Sequence, residues 1–207
     1  TDLADGISEF TSLFILATKR QLLTVILDPQ TSYAGPFGQR LLNRRSDHLN
    51  SGNDDIGETL LMVIRDAITS INFALAEIYD DILHYSDNMV RLSSRKESQQ
   101  SEVLSLIESY VLKLRVEIEA LETVTRETAS LITAVADGEL DLKGDHEIFF
   151  DHHIILAKSL AIYARQTVAF RNKIESRIVA VLDKCEQFRD RLIVSATNKI
   201  GAVASLL

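Results

Sequence analysis

The chain has 207 residues, 46% of them hydrophobic and 25% charged, with a formal net charge of −8. That balance supplies a sizeable core, excludes global disorder, and argues against a nucleic-acid surface, which needs a basic field. Two prolines and eight glycines leave few breaks, which favours long helices, and the lone Cys185 excludes an intrachain disulfide and a cysteine zinc cluster.

No uninterrupted run of about 18 apolar residues occurs, so no simple bilayer-spanning helix is expected, and nothing reads as a signal peptide. A start at Thr1 reads as a processed chain or an excised fragment. The compartment stays open, leaning towards an extracytoplasmic or membrane-associated setting.

In chain order, residues 5–27 carry Phe10, Leu13, Phe14, Leu16, Ala17, Leu22, Leu23, Val25 and Ile26, and predict a first helix that stops at Asp28-Pro29. Residues 28–55 form an irregular excursion that holds both prolines and a short helix around 37–45. Long irregular segments in compact domains are usually functional or flexible. Tyr33, Phe37, Arg40, Arg44 and Arg45 are therefore candidate ligand- or partner-binding residues, although three arginines in a loop are more often solvated.

The strongest signal is a seam of Leu61, Ile64, Ile68, Ile71, Leu75, Ile78, Ile82, Tyr85, Met89 and Leu92, spaced three and four apart. It predicts an amphipathic helix over about 56–93, capped by Asn53, Asp54 or Asp55. After the polar link "SSRKESQQS", a second seam runs through Leu104, Ile107, Val111, Leu114, Ile118, Leu121, Thr125, Thr128, Ile132 and Val135, predicting a helix over about 98–136. Together they make a long antiparallel, coiled-coil-like hairpin. Thr125 and Thr128 soften the second seam. They are candidates to admit water or a small ligand, beside the plainer reading of a packing adjustment. Apolar flanks at Val103, Tyr110, Val124 and Leu131, and at Leu60, Ala67 and Ala74, make the stripe too wide for two helices, so the hairpin belongs to a bundle.

The stretch "DHEIFFDHH" at 145–153 holds three of the five histidines. Asp145 suits an N-cap followed by acidic first-turn residues. His146 and His153 lie two turns apart on one face and His152 on another, without the usual i,i+3 or i,i+4 ligand pairing. The stretch reads as a capped helix start, with His146, His152 and His153 kept as alternative metal ligands. "EIYDDILH" offers Glu77, Asp81 and His84, but off the seam. From about 148 a last helix follows, with the stripe Phe149, Leu156, Leu160, Tyr163, Phe170, Ile174, Ile178, Val181, Cys185, Phe188 and Leu192. At roughly 50 residues it would reach about 75 Å, so it must project, bend or break.

No nucleophile elbow, phosphate-cradling loop or dinucleotide fingerprint occurs, and Cys185 falls on an apolar stripe as core. No enzyme and no cofactor are expected. The expected architecture is all-α, a single elongated antiparallel four-helix bundle. Its first and last helices would finish at one end, as a module inserted between two membrane spans requires. The expected function is a non-catalytic binding module, the ligand- or protein-sensing part of a larger membrane-associated signalling protein. A soluble subunit of a membrane-active, pore-forming helical toxin and a docking or assembly scaffold are the alternatives. The expected partner is a protein or small-molecule ligand, with membrane proximity through the termini, no nucleic acid, and self-association left open.

Overall fold

The structure is a computed structural model that describes residues 13–18, 21–26, 56–139 and 151–204, the first two segments as backbone only. Strands β1 (Leu13–Thr18) and β2 (Gln21–Ile26) pair antiparallel, with Leu13 opposite Ile26 and Thr18 opposite Gln21. The helix expected over 5–27 is therefore replaced by a hairpin across 13–26. The cause lies in the residues: "LFILAT" and "QLLTVI" are six-residue, mostly apolar segments, too short for periodicity to separate helix from strand, and only Lys19-Arg20 lies between them. With that helix go the fourth member of the bundle and the argument that the first and last helices end together.

The rest of the described chain is helical: α1 (Ile56–Leu92), α2 (Glu97–Ala136) and α3 (Asp151–Ala204). α1 opens with Glu58 and closes with Arg91, each matching the helix dipole at its end. Backbone N–H groups of Ser94 and Arg95 then bond the carbonyls of Arg91 and Leu92 at 3.1 Å, and four residues link α1 to α2. α2 ends in a Schellman arrangement: Gly138 N–H donates to Val135 O, Glu139 N–H to Ala134 O, and Gly138 takes φ +73°, where a Cβ would be strained. α3 runs unbroken for 54 residues. Its expected cap at Asp145 lies outside the described residues.

The chain divides into two compact units, and each takes a segment of every helix. Unit 1 comprises Thr1–Ala74 and Glu122–Ala169. Its core joins Leu61, Ile64 and Ile68 of α1, Ile132, Val135 and Ala136 of α2, and Ala157, Leu160, Ala161 and Ala164 of α3. Val63 and Asp66 are also buried, so α1 is enclosed on more than its seam here. On α3 the buried line is His153, Ala157, Leu160, Ala161, Ala164 and Thr167, whereas Leu156 and Tyr163 of the expected stripe are half-buried. The large residues flank a seam of small ones.

Unit 2 comprises Leu75–Leu121 and Phe170–Leu207. Here the seams agree with expectation except at Tyr85, Phe170, Phe188 and Leu192, which are half-buried. Leu75, Ile78, Ile82, Met89 and Leu92 of α1, six aliphatic residues of α2 from Leu104 to Leu121, and Ile174, Ile178, Val181 and Cys185 of α3 are all buried. Cys185 Sγ lies 3.6 Å from Met89 Sδ, and burial, with Glu108 nearby, pushes its thiol pKa up against the pull of Arg189. That thiol is an inert core group.

Candidate functional site

Tyr33, Phe37, Arg40, Arg44, Arg45 and His146 lie outside the described residues. His152 and His153 open α3 in unit 1 with ring centroids 3.9 Å apart, yet they face different surroundings: His152 is exposed and His153 is 1% exposed. His153 precedes Ala157 by one turn and so takes a core position on the α3 seam. Among the described residues no group of three or more His, Cys, Asp or Glu side chains is placed to hold a metal. Thr125 is buried and donates Oγ1 to its own helix at Glu122 O, 2.9 Å away, while Thr128 is half-buried. Glu77, Asp81 and His84 are exposed off the seam, with His84 Nε2 2.9 Å from Asn88 Nδ2.

Several polar positions escaped the reading of the sequence. In unit 1, Asn72 of α1 donates Nδ2 to Thr167 Oγ1 of α3 at 2.7 Å. In unit 2, Arg171 is 4% exposed and donates Nε to the Ile118 carbonyl of α2 at 3.2 Å. Its Nη1 reaches Glu175 Oε2 at 2.7 Å and Asn172 Oδ1 at 3.2 Å on its own helix. A buried guanidinium needs such partners, because desolvating a charge is costly. Counting back from Ile174 by three and by seven lands on Arg171 and Thr167, so the heptad itself carried the signal.

A second cluster in unit 2 joins α1 to α2. Tyr85 and Tyr110 stack with centroids 5.4 Å apart at 11°, and His84 meets Tyr85 edge-on at 5.5 Å. Burial, Asp81 and Tyr110 push the Tyr85 pKa up. Burial and then Asp81 likewise raise Glu117, against the pull of Lys113. On the α1–α3 side, Tyr79 packs on Phe170 at 5.6 Å and receives Lys173 and Arg177 at 5.5 and 5.2 Å from its ring centroid.

An open groove of about 470 Å³ runs in unit 2 between the start of α2 and the end of α3. Ser98, Ser101, Ser105 and Ser195 give it hydroxyls, over apolar surface from Leu104 and Leu192. Ion pairs Glu97–Lys199 and Glu108–Arg189 bridge the two helices. The hydrogen bond from Lys199 holds the Glu97 carboxyl below its ordinary pKa, although the pair is exposed. Ile193, which lines the groove, and Ile200 and Val203 further along α3 are 57–71% exposed. The groove thus combines hydroxyls, paired charges and aliphatic surface.

α1 contains an 18-residue window of mean hydropathy 1.4 and is long and apolar enough to cross a membrane by length and composition. Uninterrupted apolar runs do not reveal this, and core helices of soluble proteins share the property. No family model matches the chain, and no curated protein and no solved structure matches it.

Proposed function

We propose that the chain is a non-catalytic helical binding module, the ligand- or protein-sensing part of a larger membrane-associated signalling protein, with α1, α2 and α3 forming an antiparallel bundle. The order of contacts supports the bundle. In unit 2, Ile118, Glu108 and Glu97 on α2 meet Arg171, Arg189 and Lys199 on α3, so the numbers fall on one helix as they rise on the other.

The observation that carries the binding role is the aliphatic side of α3 at Ile193, Ile200 and Val203, which is exposed where α3 continues from the serine-lined groove. Exposed aliphatic clusters rimmed by polar groups are characteristic of recognition surfaces. A photo-crosslinking residue at Ile200 is expected to give one discrete adduct in extract of the source cells. A second one at Ser176 should give none, and Ile193→Asp should abolish the first. Equal labelling at both sites would contradict the reading.

The hydropathy of α1 favours a second reading, a membrane-active subunit that stores an apolar helix in a folded state. Dye release from anionic liposomes by the purified chain supports that reading, and intact liposomes at micromolar protein count against it. A docking scaffold would use the same α3 surface, and the identity of the crosslinked partner separates it from a sensor.

A further inference from the structure

The outer face that α1 and α3 share in unit 2 carries three lines of exposed residues. On α1, Ala76, Leu83 and Val90 recur every seven residues, with Leu83 36% and Val90 70% exposed. Tyr79, three residues beyond Ala76, packs on Phe170, so a step of three turns toward α3 and a step of four turns away from it. Asp80 and Asp87, four residues beyond Ala76 and Leu83, therefore form an acidic edge on the far side of the aliphatic line, and both are exposed.

On α3, Phe170, Lys173, Arg177, Lys184, Phe188 and Arg191 follow at spacings of three, four and seven, so this flank holds cations and no carboxylate. Lys173 and Arg177 lie 5.5 and 5.2 Å from the Tyr79 ring centroid, which sets the flank beside the aliphatic line. Across the face the order is acidic, aliphatic, basic. Arg189 and Lys199, which face α2, pair with Glu108 and Glu97. Asp80, Asp87, Lys173, Arg177, Lys184 and Arg191 form no ion pair among the described residues. The aliphatic line separates the aspartates from the cations of their own chain, and Lys173 and Arg177, like charges one turn apart, repel.

This order is complementary to itself in one symmetric arrangement. A two-fold axis along the helices, through the aliphatic line, lays the acidic edge of each copy on the basic edge of the other. An axis across the helices would lay acid on acid and base on base. Levels agree as well. Tyr79 meets Lys173 and Arg177, and Met89 meets Cys185, so Asp80 stands level with Lys173 and Arg177, and Asp87 with Lys184.

We infer that this face of unit 2 is a dimer surface whose occupant is a second copy of the chain, with the two α1 helices parallel. Ala76, Leu83 and Val90 meet the same residues of the second copy, and Asp80 and Asp87 meet its Lys173, Arg177 and Lys184. The surface is distinct from the serine-lined groove between α2 and α3.

Sedimentation equilibrium of the full chain tests this. A monomer–dimer equilibrium in the micromolar range is expected, as suits a face smaller than an obligate interface. Asp87→Lys and Lys184→Asp should each raise the dissociation constant about tenfold. An equimolar mixture of the two variants should restore the parent value, because each copy supplies the charge that the other has lost. In a Cys185→Ala background, Leu83→Cys and Val90→Cys should each form a same-residue disulfide between copies under air with copper–phenanthroline. Antiparallel pairing brings only one level onto itself, so a disulfide at one position and not the other would overturn the parallel dimer. These substitutions are all at exposed positions, and the cysteine pair decides the matter if a charge variant does not fold. A monomer up to hundreds of micromolar would overturn the inference, as would a dimer that neither charge variant weakens. A chain that stays monomeric but pellets with anionic vesicles, and loses this with Lys184→Asp, would assign the basic flank to a membrane instead.

Discussion

The two units use the same three helices and solve the burial of α3 differently. In unit 1, α3 turns His153, Ala157, Ala161, Ala164 and Thr167 inward with only Leu160 as a large aliphatic residue. In unit 2 it turns in Ile174, Ile178, Val181 and Cys185, with Arg171 as the buried charge. Small residues allow close approach and leave polar bonds to set position. Large branched residues interlock and define position by shape. The difference teaches that one continuous helix can change its mode of packing partway along without a break in its backbone.

The comparison is broken most severely from unit 2. Ile178 is fully buried, and Ile178→Ala should cost about 2–5 kcal/mol in urea unfolding through lost burial and the cavity left behind. In unit 1 the opposite change is the damaging one. Ala161 is 3% exposed, and Ala161→Leu should cost about 1–3 kcal/mol by overpacking a close approach. If Ala161→Leu raises stability instead, the alanine seam encloses a void rather than a tight contact.

Arg171 sharpens the contrast. Its ion-pair partner Glu175 keeps 43% side-chain exposure, so water can take over that carboxylate once the guanidinium is gone. Arg171→Met, which fills similar volume, should leave the melting temperature unchanged or higher, whereas Arg171→Ala should lower it. A methionine variant as damaged as the alanine one would show that the bond to the Ile118 carbonyl stabilises the unit by itself.

The smallest effect concerns pH. Glu117 has its pKa raised by burial and Asp81, so its carboxylate is less favourable in the folded state than in the unfolded one. The contribution to stability is fully present below the ordinary pKa of 4.5 and is lost as pH rises through the raised folded value. Glu117→Gln should therefore raise the melting temperature slightly at neutral pH and flatten its dependence between acid and neutral. The Glu97–Lys199 pair acts with the opposite sign: its lowered carboxylate pKa favours folding above the ordinary value, an advantage lost as pH falls. A melt series in which Glu117→Gln tracks the parent at every pH would remove the carboxylate from the account.

How much of this was readable depended on residue size. The seams of α1 and α2 could be read because nearly every position carries a large aliphatic residue at strict spacing. Their ends at Leu92, Glu97 and Ala136 fall within one residue of expectation. The same rule followed α3 from Ile174 to Cys185 and held before it only at Leu160. There the reading chose Leu156 and Tyr163, which are half-buried, while the fold buries Ala157, Ala161 and Ala164. Over 13–18 and 21–26 strands stand where the sequence predicts helix for a related reason, since such short, mostly apolar segments have no period to measure. At the site, hydrophobicity hid the answer in another way. His153 was weighed as a ligand because it is a histidine, and its heptad position, one turn before Ala157, explains its burial better. Asn72, Thr167 and Arg171 escape because the stripes of α1 and α3 are read from apolar and aromatic residues, although α2 admits Thr125 and Thr128 to its seam. The serine-lined groove needed two distant segments brought together, which no local pattern encodes.

The binding role rests on the α3 surface around Ile193, Ile200 and Val203 being bare in the isolated chain. Amide hydrogen exchange along α3 tests this most directly. Strong protection is predicted from Ile174 through Cys185, with fast exchange setting in from Ile193 to Ala204 and slowing only when the crosslinked partner is added. Equally slow exchange over 193–204 in the isolated chain would mean that this surface is already covered, and the proposal of an open binding face would fall.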